Sequence, residues 1–565
     1  MKNGSKWITV LGFVFILFML TVDIAYNPTN YTNQKNPVGA IQKEILAESD
    51  VDSDMDGWSD DYELYTIYTD PEVPGPFYID GDAELASMAA YHGWDGDGSE
   101  EWPYIIENYY IDVDDVDVSC IEIRNIDSTY FIIRDCEVTG ASGPYANEYP
   151  DIPFIYARAG IYLYNVYYAE VTNNLVYGNC YGIRIDESFA VVVAENTCYL
   201  NNWEGIAVIL GSTYCIVTDN VCFENIDGIG YLGNGIGVGV WSYYNLIVHN
   251  LVFDNEGSGI NFFWGYDNIV RENEFYGNFE WGIAVRGESS GNQILDNLCW
   301  ENYQGIYLEN SDYNTISENT LTDNIEDGIA IVYASDWNTI TDNLCIGSNA
   351  GIGVGYGSSG NYISENTCTN NYDGIEILGS GNTVEGNLLM KNGVGIHLIG
   401  SPLNIVFHNS IIDNTVQALD EDPVSGNFWY NPEIKEGNYW SDYIGVDSNH
   451  DGIGDTDVPW PGEGYDLYPL MIPTTLQEMI EVIKSKLHDL VDSGVLEEND
   501  VRPLTKKLDA AIDLIDKGKM FQASQKLGDV IDQINALINS GRLPVVEGED
   551  FIAQSQRIID ALLSI

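Results

Sequence analysis

The chain has 565 residues, with 88 Asp and Glu against 22 Lys and Arg, for a net charge of −66. Such a surface repels a phosphate backbone, which excludes nucleic acid as a partner. The length allows several domains, and this degree of acidity suits an extracellular protein that takes up calcium, or one living in high salt.

In chain order, residues 8–22 (ITVLGFVFILFMLTV) form one apolar run behind Lys2 and Lys6 and end at Asp23. That is signal-peptide architecture, short for a full span. Residues 1–25 are expected to be a signal peptide or an N-terminal membrane anchor, and the chain meets a membrane only there.

Residues 26–76 read as a linker with an acidic loop. Its run Asp52-Ser-Asp54-Met-Asp56-Gly57-Trp58-Ser-Asp60-Asp61-Tyr-Glu63 fits the EF-hand formula. Carboxylates stand at positions 1, 3, 5, 9 and 12, Trp58 at position 7 and glycine at the bend. Hard oxygen ligands at alternate places wrap a large cation, so calcium is the expected cofactor. With the trailing YTDPEVPG the run resembles the thrombospondin type 3-like calcium segments of secreted proteins.

The next domain, 77–472, carries eleven Gly-Ile pairs, at Gly160, Gly182, Gly205, Gly235, Gly259, Gly282, Gly305, Gly328, Gly351, Gly374 and Gly395. A period of 21–24 residues, with one interval of 30, specifies a solenoid of stacked coils. Residues one and three places after each glycine are apolar, as in Ile183/Ile185 and Ile329/Ile331, and alternate like a half-buried strand. No unit has room for a crossover helix, so the strands stack in parallel, and such connections are right-handed. The expected fold is mainly β: a right-handed parallel β-helix with coils about 4.8 Å apart.

Two asparagine columns accompany the glycines. One runs from Asn174 to Asn409. The other is read as Asn179, Asn202, Asn225, Asn255, Asn278, Asn302, Asn324, Asn349, Asn371, Asn392 and Asn414. Asparagine tolerates left-handed turns, and stacked amides bond from coil to coil. Cys198, Cys222, Cys299, Cys345 and Cys368 share one register position and read as core fillers.

The outward face offers two kinds of site. The lengthened coil between Gly228 and Gly259 brings Trp241, Tyr243 and Tyr244 near Phe263, Trp264 and Tyr266, beside small outward residues Ala207, Gly237 and Ala284 that would leave a groove. Aromatic faces stack on sugar C–H surfaces, so an extracellular or envelope polysaccharide is the expected ligand, with Arg286 beside it. For catalysis the candidate acids are Asp186, Glu187, Asp227 and Glu309, with Arg184 and Arg286 as charge stabilisers. A glycosidase needs two acids about 5–9.5 Å apart, and Asp186 and Glu309 lie several coils from each other.

Near the end of this domain, Asp447, Asn449, Asp451, Asp455 and Asp457 form a second, weaker calcium loop with Val458 where an acid is usual. The stretch GNYWSDYIGVDSNHDGIGDTDVPW…YDLYPLM and the opening YIDGDAEL and WPYIIENYYID resemble the closing and first coils of NosD-like, CASH-type β-helices, over residues 77–471. That resemblance implies carbohydrate-related or copper-handling roles. Copper needs soft or imidazole ligands gathered together, whereas the six histidines, His92, His249, His397, His408, His450 and His488, are scattered. Met390 and His397 are the nearest approach to a pair.

Beyond Pro473, helical periodicity marks 475–492, 498–517, 519–540 and 547–564, punctuated by Gly494 and Gly541. The stretch DLVDSGVLEENDVRPLTKKLDAAIDLIDKGK through ALINSGRL resembles the FIMAH domain of secreted surface proteins, which implies a surface module (473–565) able to meet protein partners. The whole reads as an exported, calcium-binding surface protein that holds glycans without catalysis. The alternatives are a polysaccharide hydrolase or lyase, or a purely structural adhesion protein.

Overall fold

The computed structural model describes residues 76–565 except 117, 143–157, 227–232, 422–425, 459–465, 474 and 565. The apolar segment, the 52–63 loop and Asp227 lie outside the described residues. Three parallel sheets of 14, 13 and 14 strands, here A, B and C, wind into a right-handed β-helix of about 13 turns. Every coil contributes one short strand to each sheet, and the Gly-Ile segments form sheet A. Ile183, Ile185, Ile206 and Val208 are fully buried, and one core runs from Phe77 to Val458. All nine cysteines are free and buried, as expected of fillers.

The glycine and asparagine repeats prove to be one device. A Cβ on Gly182 would lie 2.3 Å from the Gly205 carbonyl oxygen and 2.9 Å from Asn201 Nδ2. The glycine thus makes room for the next coil's backbone and for the ladder amide. In the first ladder each backbone N–H and side-chain amide donates to Oδ1 of the asparagine one coil on, as Asn273 does to Asn297 at 3.1 and 3.0 Å. The column runs on through Asn438, and there Asp466 Oδ2 takes the place of the next amide oxygen, accepting from the Asn438 N–H at 2.7 Å. Burial pushes Asp466 up to about 6.

The second ladder departs from its sequence reading twice. Its member in the second coil is Asn201, not Asn202, and Ser348 stands in for Asn349, which is exposed and reaches Glu326. A third ladder, from Asn245 through Asn268, Asn292, Asn314, Asn338, Asn361, Asn382 and Asn404 to Asn427, holds the corner between sheets A and B.

Helix α1 (Asp82–His92), which the sequence reading took as part of a first coil, covers the N-terminal end of the core with Leu85 and Ala89. Four helices close the chain: α2 (Leu476–Asp492), α3 (Glu498–Asp516), α4 (Met520–Asn539) and α5 (Val545–Ser564). Thr475 opens α2 with a capping box to Glu478. Gly494 and Gly541 follow the α2 and α4 ends with φ of 74° and 71°, where a Cβ is disfavoured. The bundle has its own core, including Ile480, Ile483, Leu487, Leu508 and Ile534. Helix α2 docks on the outer face of sheet C, where Val482 packs with Leu388 and Ile412 and the Ser485 hydroxyl donates to Asp413. No helix among the described residues is long and apolar enough to cross a membrane.

Candidate functional site on the outer face of sheet A

Side chains one before, two after and four after each repeat glycine stand on the outer face of sheet A, in rows one coil apart. In the N-terminal half these rows are sealed. Arg184 and Asp186 are both fully buried, with Arg184 Nη2 donating to Asp186 Oδ2 at 2.7 Å and Nε bonding both carboxylate oxygens. The Tyr162 hydroxyl adds a bond at 2.9 Å, and the guanidinium lies over the Tyr162 and Tyr181 rings. Burial raises the Asp186 carboxyl, and Arg184 opposes that shift. Asp186 is therefore a structural member of a closed ion pair, and Glu187 sits beyond it at an exposed turn with φ of 47°. The expected groove at Ala207 and Gly237 is filled. Ala207 is fully buried, packed with Tyr162, Tyr181 and Trp203, and a Cβ on Gly237 would meet Glu204 Cγ at 2.8 Å.

Further along, aromatic side chains emerge. Trp241 is 63% exposed, and its ring lies nearly parallel to Trp264 with centroids 6.5 Å apart. Phe263 packs on Trp264 at 4.5 Å and covers Gly287. In the strand register Phe263 is beside Arg286, and Arg286 beside Glu309. Tyr243, Tyr244 and Tyr266 belong to the following bend, where Tyr244 meets Tyr214 at 5.3 Å. The six aromatics thus form two neighbouring groups. Arg286 Nε donates to Glu309 Oε2 at 2.8 Å, and its guanidinium lies over Trp281, which stacks on Tyr307 at 4.4 Å.

A polar chain leads on from there. Trp281 Nε1 donates to Gln304 Oε1 at 2.9 Å, and Gln304 Nε2 donates to Asp327 Oδ2 at 2.8 Å. Asp327 leans over Gly353, where a Cβ would stand 3.3 Å from its carboxylate. Burial pushes Asp327 up to about 7, opposed by the Gln304 bond and reinforced by Glu376 and Glu326. Two coils beyond Asp327, Asp373 Oδ2 lies 3.0 Å from Nδ1 of His397 in the next coil, whose Nε2 is 3.3 Å from Glu421 Oε1. Glu376, in register with His397, is raised by burial and by Asp373, and lowered by His397.

With this geometry in place, the chain can be set beside known proteins. The family model described as periplasmic copper-binding protein (NosD) matches residues 128–303 and 288–445, more than half of the chain. The chain belongs to the NosD family. A FIMAH domain model matches residues 480–560, the C-terminal helices. Probable ABC transporter binding protein NosD of Stutzerimonas stutzeri is 35% identical over 114 residues, 18% of this chain and 24% of that protein. Its Pseudomonas aeruginosa counterpart is 37% identical over 97 residues, 16% of this chain and 21% of that one. The matched region thus spans about a quarter of these relatives' length. Among solved structures, the periplasmic alginate epimerase AlgG is similar at 12% identity and TM-score 0.38, over 66% of this chain and 88% of that one. An alginate lyase from Paenibacillus gives 14% and 0.35, over 51% and 99%.

This NosD-family β-helix places the sequence-predicted residues unevenly. Asp186 and Glu309 are five coils apart, about 24 Å. Met390 lies on sheet C and His397 on sheet A, so the two do not pair. In the 447–457 loop, Asp447 accepts from the N–H groups of His450, Asp451 and Gly452, Asp451 from Ile453, and Asp455 from Ser448. Asn449 bonds Asp451, and Asp457 is exposed. The sequence reading missed Asp327, Asp373 and Glu376. Their signal was an acid directly before, or two places after, a repeat glycine whose neighbouring coils carry Ala350 or Gly353.

Proposed function

We propose that the chain is an exported β-helix that binds an extended, uncharged polysaccharide along sheet A from its middle toward its C-terminal end. The observation that carries this is the exposed parallel pair Trp241 and Trp264, continued in register through Phe263 to Arg286, Glu309 and the Trp281–Tyr307 stack. Flat apolar rings followed by paired charges suit a sugar's C–H face and hydroxyls. The face beyond carries Asp327, Asp373, Glu376 and Glu421 on a chain of net charge −66, so a polyanionic glycan is disfavoured. Affinity electrophoresis against neutral and uronate polysaccharides tests this. Retardation by a neutral glycan, weakened about ten-fold in Trp241→Ala/Trp264→Ala, is expected. Equal retardation of the double variant, or retardation by uronates alone, contradicts it.

A second reading, glycoside cleavage, is favoured by Asp327, whose carboxyl titrates near neutrality as a general acid must. It predicts reducing ends released by the chain and lost in Asp327→Asn. Calcium at the 52–63 and 447–457 loops belongs to the same proposal of an extracellular, cation-stiffened protein. Chelation is expected to open residues 50–76 to proteolysis while the β-helix persists; unchanged protection contradicts the loop.

A further inference from the structure

Asp373, Glu376 and His397 offer one donor atom each within 4.8 Å of one another, and among the described residues they are the one such group of three. They come from two adjacent coils, with Asp373 and Glu376 on one sheet A strand and His397 beside Glu376 on the next. Glu421 Oε1 stands on the far side of the imidazole at 3.3 Å.

Proximity of acids alone would mean little on so acidic a surface. The second observation is Asp373 itself. The residue is only 3% exposed, yet its Oδ1 has no hydrogen-bond partner, while Oδ2 holds His397. A buried carboxylate oxygen without a donor is costly. Asp186, equally buried on this face, has donors on both oxygens, from Arg184 and Tyr162.

We infer that Asp373, Glu376 and His397 Nδ1 hold a divalent first-row transition cation of the zinc class, with Glu421 accepting from the other imidazole nitrogen and orienting the ring. Carboxylate and imidazole bonds to such an ion are about 2.0–2.2 Å, so its donors stand up to about 4.4 Å apart, and a small side-chain movement closes the set. An imidazole donor favours this class over calcium and magnesium, which take oxygen ligands only. The absence of sulfur from the set disfavours Cu(I). The cation neutralises two or three acids that now repel one another, and it satisfies Asp373 Oδ1. The inference does not rest on glycan binding: a glycan-blind chain can still hold the metal, and the reverse.

The test is zinc titration of the full chain in excess calcium, which occupies oxygen-only sites, followed by diffraction at the zinc edge. One zinc per chain is expected, with an anomalous peak between the three side chains. Affinity should fall about 100-fold in His397→Ala and in Glu376→Gln. Glu326→Gln, an acid outside the group, controls for surface charge and keeps wild-type affinity. Circular dichroism identifies any variant that fails to fold. Equal zinc affinity in wild type and both ligand variants, an anomalous peak elsewhere, or no binding above calcium overturns the site.

Discussion

The two halves of sheet A's outer face carry charges at equivalent repeat positions and use them in opposite ways. In the first half, Arg184 and Asp186 neutralise each other under Tyr162 and Tyr181, and every oxygen of the acid is bonded. In the second, Asp373, Glu376 and Glu421 face a single imidazole, and one buried oxygen has no donor. What separates the two buried acids is their partners: Asp186 has Arg184 on its own strand and Tyr162 from the preceding coil, whereas Asp373 meets the imidazole of the next.

The largest effect that would break this contrast is in the sealed half. Arg184→Ala leaves Asp186 buried without its counter-ion, and a loss of about 3–5 kcal/mol in denaturant unfolding is expected. In the open half, Asp373→Asn in metal-free protein should cost nothing or stabilise by up to about 1 kcal/mol, because it removes one of several like charges. Comparable losses at both positions would erase the distinction.

The next effect is pH-dependent. Asp327 titrates at about 7 when folded and near its ordinary 3.8 when unfolded, so the folded chain binds the extra proton between those values. Its contribution therefore falls as pH rises from about 4 to 7, and the penalty is complete above that. Asp327→Asn should raise stability by on the order of 2 kcal/mol at pH 8 and leave it unchanged at pH 4, read from unfolding midpoints. An Asn variant with an unaltered pH profile would contradict the assignment. The ladder gives an effect of similar size. Asn273→Ala strands the Asn250 N–H and its amide, and about 1–3 kcal/mol is expected, against less than about 0.5 kcal/mol for exposed Asn349→Ala.

The repeat itself was legible because a solenoid writes its geometry every 23 residues or so, and the glycine column follows from a backbone contact that recurs in each coil. The four closing helices were legible for the same kind of reason, since each carries its apolar stripe over four or more turns. Helix α1 was not, because eleven residues with two buried side chains give a weak period. The third asparagine ladder escaped because its spacing drifts: Asn245 stands ten places after Gly235, Asn382 eight after Gly374. The candidate site was the least legible part. The aromatic group could be named from one long coil, but its expected floor at Gly237 is occupied by Glu204, a residue of the preceding coil. Likewise His397 had only Met390 near it in sequence, and only coil stacking puts Glu376 beside it and Asp373 and Glu421 on its two nitrogens.

Carbene footprinting of the full chain with and without a neutral polysaccharide bears most directly on the division of this face. Protection at Trp241, Trp264 and Tyr307, with Tyr177 and Tyr276 on sheet C labelled as before, is the predicted result. Protection of sheet C instead, or no change at the two tryptophans under saturating ligand, would contradict it.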